Sequence, residues 1–144
     1  MATYTKFNQF VEDLCHKVHD LTVSTGDTLS VALCAAANAP AATNSVLADL
    51  TTVSLTNLSG DANLTISASA QTSGTFKLTV SDKTLTASGG TIGPLRYVVI
   101  YNNTPSSPAD PLIAYYDYGS EITLADGESL NIDFDDSNGL FQVA

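Results

Sequence analysis

The sequence predicts a mainly β protein: an antiparallel β-sandwich, jelly-roll-like, or a barrel, carrying one N-terminal amphipathic helix. Three observations predict it. Short runs rich in Val, Ile, Thr and Tyr recur along the chain, divided by Gly, Asn, Asp and Ser clusters at intervals of about 8–12 residues. Apolar residues spaced by three and four occur convincingly only once, near the start. Strands and helices do not alternate, which excludes a doubly wound βαβ fold. The 144 residues contain no repeat and no linker-like stretch, so residues 1–144 form one domain, long enough to close a core without staples.

Taken in order, Phe7, Phe10, Val11, Leu14, Val18 and Leu21 recur at helical spacing, and Cys15 extends their face. Lys6, Gln9, Asp13, Lys17 and Asp20 fall opposite, so the spacing predicts a helix over Lys6–Leu21. Its apolar stripe must be covered, and we expect it to cap its own domain. Leu29–Ala35 is a strand with Leu29, Val31 and Leu33 on one face. Ser45–Leu50 fits one helical turn, with Asn44 or Ser45 as its cap. Thr51–Leu58 alternates polar and apolar residues and predicts a half-exposed strand. Leu64–Ala70, Thr75–Val80 and Lys83–Ala87 follow as strands, the first two divided by a Ser-Gly turn.

Arg96–Tyr101 (RYVVIY) and Leu112–Tyr116 (LIAYY) flank NNTPSSPADP, which predicts a hairpin with a long loop. RYVVIY is almost continuously apolar, as expected of a strand with protein on both faces or of one near the middle of a sandwich. Three prolines keep Thr104–Pro111 out of any ladder, so that loop should project. Glu121–Leu124 and Ser129–Phe134 flank Asp126-Gly127, a hairpin signal. Asn138-Gly139 is a second such signal before a last strand, Leu140–Val143. The total is about nine or ten strands.

Charge limits the partners. Fifteen acidic and five basic residues give a formal net charge of −10. That opposes binding to a phosphate backbone, which needs Lys and Arg to displace counterions, and opposes adhesion to anionic membranes. No apolar run approaches the length of a membrane span, and MATYTKFNQF has no apolar signal core. Cys15 and Cys34 lie far apart in apolar surroundings and read as buried free thiols, consistent with a cytosolic folding environment.

Candidate chemistry is thin. Glu12, His16 and His19 could share a helix face and hold zinc weakly, but the HExxH order is absent and a solvated polar helix edge is the favoured reading. Asp133, Asp135 and Asp136 precede Ser137-Asn138-Gly139 and offer oxygens to calcium. Their register fails the EF-hand pattern, and a solvated hairpin accounts for them. Glu121, Asp126 and Glu128 could supply a glycosidase pair beside Tyr115, Tyr116 and Tyr118, but tyrosine in a strand is more often packing. No GxSxG elbow and no Gly-rich phosphate loop occurs. We therefore assign no catalytic, cofactor-binding or metal-binding residue and expect no enzyme activity.

Several stretches carry a resemblance. They are KFNQFVEDLCHKVHDL, APAATNSVLADLT, SAQTSGTFKL, ASGGTIGPLRYVVIYNNT and DPLIAYYDYGSEITLADGESLNIDF, which together span most of the chain in order. This series resembles a family of small virion structural proteins of tailed bacteriophages. LCAAANAP departs from the more Thr/Asn-rich version expected there, and the run Lys83–Ser88 is short. The resemblance implies a capsid decoration (cement) protein or a tail-associated protein, located in the virion and assembled in the host bacterial cytoplasm. Its partners would be the major capsid protein and copies of itself in a homo-oligomer such as a trimer. It carries over no functional residues. A tail-fibre or receptor-binding module is the alternative, presenting its tyrosines and Asn102–Pro111, and a small carbohydrate-active enzyme ranks third.

Overall fold

The computed structural model describes residues 2–144. In chain order its elements are β1 (Thr3–Lys6), α1 (Gln9–Cys15), β2 (Leu29–Cys34), β3 (Ile66–Thr72), β4 (Thr75–Val80), β5 (Lys83–Thr86), β6 (Ile92–Asn102), β7 (Leu112–Leu124), β8 (Ser129–Ile132) and β9 (Phe141–Val143). Short 3-10 turns occupy Ala36–Asn38 and Leu47–Asp49. The strands form three antiparallel sheets, ordered β1-β7-β6-β2, β3-β4-β9 and β5-β8. None closes into a barrel, which removes that alternative.

The β6–β7 hairpin is central, and its sequence explains why. Val98 and Ile100 point into the main core, with Leu33, Leu78, Leu85 and Phe141. Tyr97 and Val99 point the other way, into a second cluster with Phe7, Ala32, Cys34 and Leu112. Leu47 and Leu50, beside the second 3-10 turn, cover that cluster. The continuous apolar character of RYVVIY thus records burial on both faces. Each such side chain contributes about 1.5–3 kcal/mol when fully buried. The outer edge of β2 is sealed by non-strand chain: Val53 N donates to Leu33 O at 2.7 Å, Val31 N to Ala62 O at 2.9 Å and Leu64 N to Leu29 O at 2.8 Å. Covering an edge in this way removes a template for unwanted pairing.

The N-terminus differs most from expectation. The helix has seven residues, not the span Lys6–Leu21. Residues 3–6 instead form edge strand β1, paired with Ala114–Asp117, and Phe7 N prolongs that ladder to Ile113 O. Phe7 and Phe10 therefore enter different clusters rather than one stripe. The helix is ended by a Schellman motif: Val18 N bonds Asp13 O at 2.9 Å, Lys17 N bonds Leu14 O, and Lys17 takes a left-handed φ of 61°. Lysine, not glycine, occupies the turning position, so no residue there signals a stop. Asp13, expected on the wet face, is buried, whereas Val11 and Cys15 are exposed. Phe10 does cap the domain's own core, with its ring 4.8 Å from that of Phe141.

Other expectations are refined. Thr51–Leu58, expected to be a strand, joins no ladder and turns at Thr56–Asn57. Its alternation is real, because Val53, Leu55 and Leu58 pack on the core, yet only isolated backbone bonds form. The runs Leu112–Tyr116 and Glu121–Leu124 are one thirteen-residue strand that passes through Gly119 at φ 94°. The helical turn expected at Ser45–Leu50 is present, but Asp49 Oδ2 caps it by accepting from Ser45 N and Val46 N. The loop after β6 exposes its tip, while its base is tied down: Leu47 N bonds Asp110 O, Leu112 N bonds Ser45 O and Asn103 N bonds Thr28 O.

Asp126-Gly127 and Asn138-Gly139 are turns but not hairpins. β8 leaves β7 and pairs with β5, and β9 leaves β8 and pairs with β4. Backbone contacts steer both. Gly127 N and Glu128 O clasp Ala87, and Leu140 N bonds Leu78 O at 2.7 Å. A true two-residue hairpin joins β3 to β4, with Ser73 at φ 52° and Gly74 at φ 87°, as its twist requires.

Candidate functional site

Two features stand out on this scaffold. The first is an open groove of about 500 Å³ on the core-facing side of the long hairpin. Leu95 and Val98 of β6 and Tyr116 of β7 line it, and Leu130, Ile132 and Asp133, from β8 and the residue after it, form a wall. Tyr118 is half exposed beside it, at 52%. Tyr116 is held by rings on two sides, Tyr4 at 5.3 Å and Phe134 at 6.1 Å. Its phenol is pushed up to about 12, first by burial and then by the Asp135 carboxylate. It therefore stays neutral in ordinary buffers.

The second feature is a buried polar knot. Asn102, at the end of β6, is fully buried. Its Oδ1 accepts from Thr104 N at 3.1 Å, which fixes the orientation of the amide. Its Nδ2 then donates to Asp27 Oδ2 at 2.6 Å and to His19 Nδ1 at 3.0 Å. Since Nδ1 accepts, the neutral imidazole carries its proton on Nε2. Nε2 of His19 and Oδ2 of Asp13 are both buried without a hydrogen-bond partner among the described residues. Burial lowers the His19 pKa from its ordinary 6.5, and Asp13 and Asp27 oppose that shift. The knot fastens the chain after α1 to the central sheet.

The residues suggested by sequence do not come together. Glu12 and His16 form an exposed pair at 3.6 Å, while His19 lies beyond the helix end and turns inward. No group of three His, Cys, Asp or Glu side chains among the described residues is placed to hold a metal. Asp135 spends its oxygens on Ser137 N, Asn138 N and Asn138 Nδ2, and those bonds hold its pKa below the carboxylate norm. Lys77 Nζ bonds the Asp136 and Ser137 carbonyls, so a cation already sits there. Glu121 accepts from Ala36 N, Asp126 from Gly89 N and Glu128 from Ala125 N. Each of these carboxylates fastens a different segment of backbone. Tyr115 packs on Phe7 at 5.2 Å, on the face of the sheet that carries the second cluster.

Sequence reasoning missed both features. The knot joins residues 83 positions apart, and the groove combines three strands with no shared motif. The one available signal was His19 between the apolar Val18 and Leu21, with Asp20 beside it. Among the described residues no helix is long and apolar enough to cross a membrane. Comparison with protein-family models, with curated proteins and with solved structures finds no match.

Proposed function

We propose that this chain is a non-enzymatic virion structural protein, a capsid decoration (cement) protein that binds the major capsid protein as a homo-oligomer. The observation that carries this reading is the use of the acidic side chains. Of the six that sequence offered for catalysis or calcium, Glu121, Asp126, Glu128 and Asp135 are engaged with backbone amides at separate turns and loops. The remaining character of the molecule lies in its shape and its strongly acidic surface. Three sheets and α1 share one core, which supports reading the molecule as a β-sandwich that docks as a rigid body. Three of the five basic side chains are occupied internally: Arg96 on Asp117, Lys83 on Asp61 and Lys77 on carbonyls. Such a surface favours basic patches on a partner and slows self-association before assembly.

The test is location and mechanics. Particles carrying this protein should bind a specific antibody over the capsid shell, and particles lacking it should release their genome at lower temperature until the protein is added back. Labelling confined to the tail, or particles whose heat resistance ignores the protein, would overturn the assignment.

A further inference from the structure

The two-stranded sheet is incomplete on the side that faces the groove. β8 pairs with β5 through Lys83–Ile132 to Thr86–Ser129, and no third strand among the described residues pairs with it. Beside that open edge lies the apolar floor of Val98, Leu95 and Tyr116, with Tyr118 exposed at one end. An unpaired edge over an apolar trough is the arrangement that accepts an added strand, with main-chain bonds supplying affinity and alternate side chains entering the trough. The charges define the occupant further. Asp133 stands in the wall, Asp135 is close enough to act on the Tyr116 phenol, and the whole chain carries −10.

We propose that the groove binds an extended, basic segment of another protein, which pairs with the free edge of β8 and places alternate apolar side chains over Val98 and Tyr116. This deepens the reading of the chain as a binding protein by naming the chemistry of its partner segment. It is tested on the isolated protein, so its failure is distinguishable from failure of the capsid assignment, which is read on particles. A second copy of this chain is disfavoured as occupant because each copy would bring the same acidic excess.

The test uses short synthetic peptides and amide chemical shifts of the labelled full chain at low salt. A lysine–valine alternating peptide should perturb Leu130–Asp133, Tyr116 and Tyr118. A glutamate–valine peptide should not bind. A lysine–proline peptide lacks half of the ladder donors and should bind at least tenfold more weakly. Tyr118→Ala removes an exposed ring without touching the core, and should weaken the lysine–valine peptide by about tenfold. Asp133→Lys should weaken it by about fivefold or more and flatten its salt dependence. Equal binding of the lysine–proline peptide, shifts elsewhere on the surface, or insensitivity to both variants would overturn the proposal. So would groove shifts that grow with protein concentration in the absence of peptide, which would make a second copy the occupant.

Discussion

The side-chain amide of Asn102 donates to Nδ1 of His19 across 3.0 Å, joining the end of β6 to the chain that follows α1. The same nitrogen donates to Asp27, so one buried amide holds two loop residues at once. That contact makes the fold sensitive to protonation. A proton added to Nδ1 would set donor against donor and would charge a side chain that is 8% exposed.

Stability should therefore fall as the pH drops below about 6.5. Burial lowers the folded-state pKa of His19, so the unfolded chain binds more protons in this window and unfolding is favoured by acid. The contribution is fully present above 6.5 and is lost as the pH falls toward the lowered folded value. Asp20, Asp49, Asp61, Asp117 and Asp135 are held below their ordinary 3.8, so their contributions are lost in a separate, more acidic window. Urea titrations across pH 5–8 should show the slope in wild type and lose it in His19→Gln. An unchanged slope in the variant would remove His19 as its source.

Asn102→Ala should cost roughly 3 kcal/mol, because it strips partners from a buried imidazole and from a carboxylate. Asn102→Asp should be worse, since it places a second carboxylate against Asp27. Chemical denaturation compares the three chains, and a loss below about 1 kcal/mol for Asn102→Ala would show that water replaces the amide at little cost.

The two thiols should react at very different rates. Cys15 is exposed and Cys34 is buried, with burial pushing the Cys34 thiol up to about 11. A disulfide-exchange reagent at pH 8 should titrate one thiol promptly in the folded protein and the second only after denaturant is added. Two prompt thiols would mean that β2 opens readily.

Phe10→Ala should cost about 3–5 kcal/mol, the usual loss for a buried aromatic ring. Phe10 contacts both Phe141 and the His19 ring, so the cavity would reach the knot. Val11→Ala, on the exposed side of the same helix, should change stability by less than about 0.5 kcal/mol. Similar losses in the two variants would show that the helix is anchored by its wet face.

The sequence by itself determined the β class, the central hairpin with two buried faces, most strand positions and nearly every turn. These are local properties: β-branched and aromatic runs favour the pleat, and Gly, Asn and Asp favour the turns. Tertiary structure decided which strands pair. Asp126-Gly127 reverses the chain as its residues require, but Ala87 captures Gly127 and Glu128 and sends β8 to β5. It also decided where the helix stops, because the Schellman turn rests on Lys17 in a conformation that lysine does not announce. The groove and the Asn102–His19–Asp27 knot lay beyond the sequence for the same reason. Each is made by residues far apart in the chain, and no spacing rule connects side chains that meet only after the sheets have packed.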